Sequence, residues 1–275
     1  EQLLNQVREQ RISHAQLFLA QPGSNAFATA IAFGQYLCCE HPTETDSCGE
    51  CPSCKQFAKL AHPDLHIYFP NSTTKSITKD SDSIKLAQDF IRYAIDCNYH
   101  VDIQDWLNVL GGENKQASIN VRDCSHIINQ NSIRSFQGGY KIYILWNVDR
   151  LHHDAAPKLL KTLEEPEQRS LFILISEKPE MILSTIRSRT QLVKFPRLTD
   201  EEVAKGLIQD FPVLSTEEAK NIAILCEGDY NKALRMHHDD STQKEMLEYF
   251  DLMMSGVVAY SRQQPAVAIR YEGIM

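Results

Sequence analysis

The stretch QLFLAQPGSNAFATA, residues 16–30, decides the fold of this chain. It begins with an apolar segment typical of a buried strand, turns at Pro22 and Gly23, and continues into an alanine-rich segment typical of a helix. A phosphate-binding loop would occupy this turn, with glycines, a Lys, and a Ser or Thr at the start of the helix. Where the second Gly, the Lys and the hydroxyl would fall, the chain has Asn25, Ala26 and Phe27. The stretch therefore predicts a nucleotide-binding fold whose phosphate loop has lost its chemistry.

Strand and helix patterns alternate through the next part of the chain. Strand patterns lie at 64–69, 141–146, 171–175 and 192–195, and helical patterns at 54–60, 83–110, 118–135 and 154–165. The run at 141–146 is almost continuously apolar, as expected of a central parallel strand that is buried on both faces. The alternation predicts a doubly wound α/β fold with a parallel sheet. A strand, turn and helix also occur in α/β proteins that bind no nucleotide, and that simpler interpretation stays open at this point.

The composition is that of an ordinary globular protein. The chain has 275 residues, is 43% hydrophobic and 23% charged, and carries a formal charge of −8. The negative charge excludes a general attraction to DNA, so any nucleic-acid contact must be local or made through partners. No apolar run is long enough to span a membrane and no signal peptide precedes the first strand, so we expect a cytoplasmic protein without membrane contact. The sequence begins at Glu1 without Met, and we expect it to be a fragment at one or both ends.

Four of the eight cysteines have the spacing of a metal site. Cys39, Cys48, Cys51 and Cys54 follow the pattern C-x8-C-x2-C-x2-C. Such spacing suits tetrahedral Zn²⁺ in a closed structural site with no open position for catalysis. Cys38 is an alternative first ligand and His41 a weaker one. Redox-active thiols are the other interpretation, and a disulfide would need an oxidising compartment that nothing else in the sequence supports.

The pattern after Pro196 is helical throughout. Two capping boxes are predicted, one from Thr199 to Glu202 and one from Ser215 to Glu218, and each opens an amphipathic helix. Gly228 ends the second of these helices and a third helix follows it. We predict an α/β domain over 1–196, with a cysteine segment at 39–54 and an unfamiliar insertion at about 72–117, followed by a small helical domain over 197–239.

Three stretches together carry a resemblance to a known family. They are HAQLFL at 14–19 with the turn after it, the cysteine segment with AHPDL at 61–65, and AAPKLLKTLEEP at 155–166 with IRSR at 186–189. The chain resembles the bacterial clamp-loader subunits of DNA polymerase III, a branch of the AAA+ superfamily. The resemblance covers about 1–234, except for the insertion. It implies an AAA+ (RecA-like) sheet domain with a zinc-binding insert and a helical lid domain, and it makes 240–275 a linker and the start of a truncated collar domain.

Within that family the chain is similar to the delta-prime branch rather than to the motor subunits gamma and tau. The motor subunits carry Gly-Lys-Thr or Gly-Lys-Ser in the phosphate loop and an acidic pair at the end of a buried strand, where one carboxylate arranges Mg²⁺. Here Trp146 and Asn147 occupy the places of the acidic pair, and Asp149 falls two positions late. The resemblance therefore implies that the chain binds no ATP and has no ATPase activity of its own.

A charged motif of the family is retained. Ser188, Arg189 and Thr190 match a Ser-Arg-Cys motif whose arginine projects to the nucleotide of a neighbouring subunit, and an arginine supplied in trans stabilises the charge on the transferred phosphoryl group. The alternatives are that Arg187 does this, or that Arg189 pairs with a carboxylate of its own surface. Lys232 is a weak match to a second nucleotide sensor, without a sensing role. Glu164 and Glu165 are expected to end a helix and to be structural.

The resemblance implies a non-catalytic subunit of a hetero-oligomeric clamp loader that is part of a DNA-directed DNA polymerase holoenzyme. The implied partners are the gamma/tau and delta subunits, with the sliding clamp and primer-template DNA reached through the complex. One alternative is a gamma/tau-like ATPase with an unconventional phosphate loop. Another is a zinc-knuckle protein that binds nucleic acid, but the segment between Cys39 and Cys54 contains acidic residues and no Lys or Arg.

Overall fold

The computed structural model describes residues 2–74, 81–111, 116–136 and 138–238. Its centre is a sheet of five parallel strands in the order β2-β3-β4-β1-β5. The strands are β1 (Ala15–Ala20), β2 (Leu65–Tyr68), β3 (Lys141–Trp146), β4 (Ser170–Ser176) and β5 (Gln191–Phe195). Every strand pair is parallel. The α/β class with a parallel sheet, a cysteine-containing insert and a helical C-terminal part, predicted from the sequence, is confirmed.

Helices cover both faces of the sheet. The helices are α1 (Gln2–Arg8), α2 (Ala26–Cys38), α3 (Pro52–Phe57), α4 (Ala87–Asp96), α5 (Ile103–Val109), α6 (Val121–Asn131), α7 (Ala156–Glu164), α8 (Ser184–Arg187), α9 (Asp200–Asp210), α10 (Thr216–Cys226) and α11 (230–238). No helix in the described residues is both long and apolar enough to cross a bilayer.

Alternate residues of each central strand belong to two separate apolar layers. On β3, Ile144 packs into the layer that contains α2, α4 and α5, whereas its neighbour Tyr143 packs into the layer that contains α6, α7 and α8. All six residues of β3 and all seven of β4 are buried. Burial on both faces is the reason that these strands read as continuous apolar runs rather than as alternating ones.

The segment 83–110 forms two helices rather than one. Helix α4 ends at Asp96, and Asn98 and Tyr99 then take left-handed backbone angles, with φ of 48° and 64°. Asn tolerates this conformation better than most residues, because its short side chain is compatible with positive φ. The carboxylate of Asp102 then caps α5 by accepting hydrogen bonds from the N–H groups of Gln104 at 2.8 Å and Asp105 at 3.3 Å.

We call the segment 71–118, between β2 and α6, the excursion of the chain. Its two ends are joined by backbone hydrogen bonds. The backbones of Asn71 and Ser118 exchange two hydrogen bonds, of 3.0 and 3.1 Å. Beside them the fully buried carboxylate of Asp123 accepts hydrogen bonds from the Asn71 side chain and from the backbone N–H groups of Ser83 and Asn120, at 2.8 to 2.9 Å. A buried charge needs such donors, so this network fixes the excursion to α6. Parts of the predicted insertion, 75–80 and 112–115, lie outside the described residues.

The chain divides into two compact units. One consists of Glu1–Thr199 with Glu227–Asn231, and the other of Asp200–Cys226 with, among the described residues, 232–238. Ser215 and Glu218 form the predicted capping box, since the Ser215 hydroxyl accepts from the Glu218 N–H and the Glu218 carboxylate accepts from the Ser215 N–H, both at 3.2 Å. The boundaries 1–196 and 197–239 stay predictions, and the predicted linker and collar at 240–275 lie outside the described residues.

Candidate functional site

The turn between β1 and α2 has the shape that the sequence predicts but is blocked by protein. The N–H of Ser24 donates to the carbonyl of Gln21 at 3.0 Å, and α2 begins at Ala26 without a side-chain cap from Asn25. Gly23 has a φ of 69°, and a Cβ at this position would overlap the Asp229 carboxylate and the Tyr230 backbone nitrogen. The backbone at 229–230 therefore packs directly against the turn in which a phosphate would bind.

The two altered nucleotide motifs meet in the core. Phe27 and Trp146 are 4% and 3% exposed, and their rings pack edge to face with centroids 6.4 Å apart. Mg²⁺ requires oxygen ligands, and neither ring can supply one. The place where the resemblance puts the metal-binding hydroxyl and carboxylate is thus filled by two aromatic side chains in contact.

The excursion between β2 and α6 completes this packing. Phe90 of α4 lies 5.9 Å from the Phe27 ring and 5.5 Å from the Trp146 ring, and it stacks on Phe69 at 4.0 Å. Trp106 of α5 packs against Phe90 at 5.1 Å and donates its indole N–H to the Pro70 carbonyl at 2.7 Å. We call Phe27, Phe69, Phe90, Trp106 and Trp146 the aromatic cluster. Nothing in the sequence indicated that Phe90 and Trp106 belong to this site, although both lie in the predicted helical pattern at 83–110.

Acidic side chains surround the end of β4 next to the same site. Asp149 accepts a hydrogen bond from the Ser176 hydroxyl at 2.7 Å. Part of the Glu177 side chain is exposed, but desolvation by the surrounding chain, together with the negative charges of Asp102, Asp149 and Asp229, raises its pKa to about 7. Negative charges in this arrangement repel a polyphosphate.

The four predicted cysteines form one cluster. The sulfur atoms of Cys39, Cys48, Cys51 and Cys54 all lie within 4.8 Å of one another, and those of Cys48 and Cys54 are 3.9 Å apart. Four thiolates about 2.3 Å from a tetrahedral Zn²⁺ would be separated by roughly 3.8 Å, so the cluster has the dimensions of such a site. Four cysteines in this arrangement could bind a metal ion.

Backbone hydrogen bonds to the sulfur atoms stabilise negative charge in this cluster. The N–H groups of Cys48, Cys51 and Cys54 donate to the sulfurs of Cys39, Cys48 and Cys51 at 3.3 to 3.4 Å. Backbone N–H groups of Cys51 and Glu50 lower the pKa of Cys48 to about 6, which favours its thiolate. The alternative first ligand lies elsewhere, because the Cys38 sulfur donates to the Tyr140 carbonyl at 3.4 Å. Among the described residues, His41 is also not part of the cluster.

Arg189 is held by contacts within the chain. Its Nη2 atom lies 2.6 Å from Oε1 of Glu164, and its Nη1 atom donates to the Thr185 carbonyl at 3.0 Å and to the Ser188 hydroxyl at 3.3 Å. The Arg189 side chain is still 37% exposed. The interpretation that Arg189 pairs with a carboxylate of its own surface therefore describes the chain on its own, and the trans role stays a prediction.

The residues around Arg189 have separate positions. The Arg187 guanidinium is exposed and forms no hydrogen bond or ion pair in the described part of the chain. The Thr190 hydroxyl, in the place of the usual Cys, donates to the carbonyls of Ile186 and Arg187 at 3.2 Å and so closes α8. In the second unit, Lys232 donates to the Leu225 carbonyl at 2.8 Å near the end of α10.

Comparison with known proteins identifies a family for this chain. The family described as "DNA polymerase III, delta subunit" matches residues 1–199. The chain is 27% identical over 208 residues to DNA polymerase III subunit delta' of Bacillus subtilis (strain 168), covering 75% of this chain and 49% of that protein. It is 30% identical over 188 residues to the subunit delta' of Yersinia pestis, covering 68% of this chain and 43% of that protein. The chain thus spans less than half the length of these two curated relatives.

Among solved structures, a DNA polymerase III gamma subunit-related protein of Thermotoga maritima has 16% sequence identity and a TM-score of 0.43, over 86% of this chain and 57% of that one. The match to the family extends through all five strands, the cysteine cluster, Glu164 and Arg189. This chain belongs to the DNA polymerase III delta subunit family.

Proposed function

We propose that the chain is a non-catalytic, delta-prime-like subunit of the bacterial DNA polymerase III clamp loader. Family membership supports a clamp-loader subunit, and the contact between Phe27 and Trp146 supports the absence of ATP chemistry. Binding Mg²⁺ and ATP here would require the aromatic cluster to open and polar ligands to enter it. The blocked turn at Gly23 and the acidic residues near Glu177 also oppose the binding of ATP.

The positive contribution of this subunit is Arg189, delivered in trans to ATP on a neighbouring gamma or tau subunit during loading of the sliding clamp onto DNA. Its guanidinium is partly exposed at the surface and carries five N–H donors, of which the contacts within the chain use only some. Guanidinium stays charged at any physiological pH and forms a planar fork that suits phosphate. The further partners are the delta subunit, with the clamp and primer-template DNA bound by the complex.

The cysteine cluster is proposed to hold a structural Zn²⁺. The separations between the sulfur atoms fit a tetrahedral site, and all four positions are taken by protein ligands, so the ion would have no open position for catalysis. The polar loop between Cys39 and Cys48 has little apolar surface to bury, and a metal would supply the folding energy that it lacks.

The experiment that tests the proposed function is reconstitution of the full-length protein with the motor and delta subunits. We expect Arg189→Ala to remove most of the ATP turnover that DNA and clamp stimulate, since a trans arginine is worth about 10³-fold or more at the site it serves. Arg187→Ala tests the alternative arginine, which is exposed, lies two residues away and has no partner in the described part of the chain; turnover should stay at the parent level, and a loss there instead would make Arg187 the trans arginine. Unchanged turnover with Arg189→Ala would remove the trans-arginine proposal.

A further inference from the structure

The contact between Glu164 and Arg189 joins two elements that are distant in sequence. Glu164 is the last residue of α7, and Arg189 follows α8 on the way to β5. Their side chains meet at 2.6 Å between Oε1 and Nη2, the length of a strong charge-assisted hydrogen bond. Glu165, the next residue, is exposed and its carboxylate has no partner in the described part of the chain.

The guanidinium of Arg189 is fixed at both of its terminal nitrogens. Nη1 donates to acceptors on α8 and just after it, the Thr185 carbonyl and the Ser188 hydroxyl, while Nη2 meets Glu164 from α7. Because guanidinium is planar, two anchors on different nitrogens define the orientation of the whole group. The Nε–H and the N–H groups not used in these contacts stay available to an acceptor outside the chain.

Stability alone does not account for this arrangement. Arg189 and Glu164 are 37% and 47% exposed, and ion pairs at such exposure contribute little to the stability of a fold. Their larger effect is on order, since a free Arg side chain has many rotamers and loses them when it binds. A guanidinium that is already oriented in the free subunit loses less freedom when it reaches a phosphate.

We propose that Glu164 is a positioning residue for Arg189, and this inference rests on the proposed function. Glu164 braces the guanidinium in the orientation in which its unused N–H groups meet the nucleotide of the neighbouring subunit. It touches neither the nucleotide nor the metal, and it acts only through Arg189. This assigns a role to a residue that the sequence predicted to be purely structural, as the end of a helix.

The test uses the reconstituted complex with Glu164→Ala, Glu164→Gln and the matched control Glu165→Ala in the full-length protein. We expect Glu164→Ala to lower the DNA-stimulated kcat for ATP by roughly three- to tenfold, from the rotamer freedom that Arg189 regains, with little change in KM. Glu164→Gln keeps an acceptor oxygen and should recover part of this loss, and Glu165→Ala should match the parent. Thermal unfolding of the isolated variants should stay within about 2 °C of the parent, because the pair is exposed.

A double variant separates this inference from the proposed function. In the Arg189→Ala background, Glu164→Ala should cause no further loss, because the group that it positions is gone. If Arg189→Ala lowers turnover but Glu164→Ala leaves it unchanged or raises it, the positioning role of Glu164 is wrong and the trans role of Arg189 stands. If Arg189→Ala has no effect, the proposed function fails and the inference fails with it. Should Glu164→Ala not fold, the kcat of Glu164→Gln is compared with that of Glu165→Ala. Equal kcat values would overturn the positioning role of Glu164.

Discussion

The rings of Phe27 and Trp146 pack edge to face with their centroids 6.4 Å apart. Phe27 lies in the first turn of the helix that follows the phosphate turn, and Trp146 is the last residue of the central strand β3. In the resembling motor subunits these two places hold the oxygens around Mg²⁺. Phe27 and Trp146 therefore depend on each other. A polar residue in place of either one would face the aromatic ring of the other. Reversing one of them alone would bury a polar group without a partner.

The aromatic cluster is expected to carry a large share of core stability. Trp146→Ala removes a side chain that is 3% exposed and contacts Phe27 and Phe90, so we expect a loss of about 3 to 5 kcal/mol in the free energy of unfolding. Phe136→Ala is the control, because Phe136 is 82% exposed and should change that free energy by less than about 0.5 kcal/mol. Urea unfolding measures both. Equal effects would contradict a packed cluster.

The isolated chain should not bind Mg·ATP. A ligand at about 100 times its Kd stabilises a fold by about 2.7 kcal/mol, which thermal unfolding detects easily. We expect millimolar Mg·ATP to leave the unfolding temperature of this chain unchanged, whereas a gamma or tau subunit measured in parallel should be stabilised. A clear upward shift, or Mg-dependent turnover by the chain alone, would favour the ATPase alternative over the non-catalytic proposal.

The blocked turn can be tested at Gly23. Gly23→Ala introduces a Cβ at a φ of 69° that would overlap Asp229 and Tyr230, whereas Gly138 has a φ of 73° and would place its Cβ in open space. Both substitutions carry the backbone strain of about 1 kcal/mol or more at positive φ, but only Gly23→Ala adds a steric conflict. We expect Gly23→Ala to destabilise the chain more than Gly138→Ala does in chemical unfolding. The reverse order would show that 229–230 do not pack on the turn.

The central strands were predictable because their burial leaves a visible pattern. The predicted range 141–146 is the observed range of β3, and the predicted strand at 171–175 is extended by one residue at each end. Such runs need no knowledge of distant contacts, since both faces of the strand are covered by helices. The cysteine spacing was similarly informative, although only the structure shows that Cys39 belongs to the cluster while Cys38 contacts Tyr140.

Relationships between distant residues were not predictable in the same way. The break at Asn98 and Tyr99 depends on left-handed angles that apolar periodicity does not reveal. The packing of Phe90 against Phe27 and Trp146 joins three separate segments, and a single sequence gives no register between them. The ion pair of Glu164 with Arg189 is of the same kind, which is why Glu164 was predicted only to end a helix.

Metal content provides a direct test of the cysteine cluster. We expect about one Zn²⁺ per chain, a loss of that zinc with Cys51→Ser, and its retention with Cys38→Ser, whose sulfur lies outside the cluster. Zinc in small sites of this kind contributes on the order of 10 kcal/mol to local folding, so chelation should lower the unfolding temperature. Elemental analysis and thermal unfolding measure these outcomes. Loss of zinc in Cys38→Ser would make Cys38 a ligand and would contradict the assignment of Cys39 as the first ligand.

Removal of zinc by a chelator also tests the alternative that the chain is a zinc-knuckle protein that binds nucleic acid. A zinc-knuckle module would bind DNA in a salt-sensitive manner and would lose that binding when the metal is removed. The formal charge of −8 and the acidic residues within the cysteine segment oppose such binding. We expect the isolated chain to show no DNA binding that depends on zinc, as measured by fluorescence anisotropy with a labelled oligonucleotide at low and high salt.

The acidic surroundings of Glu177 predict how stability changes with pH. Desolvation and the charges of Asp102, Asp149 and Asp229 raise the pKa of Glu177 from 4.5 to about 7. The folded state therefore binds this proton more tightly than the unfolded state does, so the contribution of Glu177 to stability is fully present below about pH 4.5 and is lost as the pH rises to 7.

Glu177→Gln removes this titration, and the variant should lose less stability than the parent between pH 5 and pH 8. Its advantage over the parent should grow with pH across that window and stay constant above it. Glu180→Gln, an exposed residue in the same connection, is the control and should follow the parent. Unfolding temperatures measured at several pH values give the comparison. Parallel curves for the parent and Glu177→Gln would show that the acidic neighbours do not act on Glu177, and would remove this electrostatic argument against polyphosphate binding.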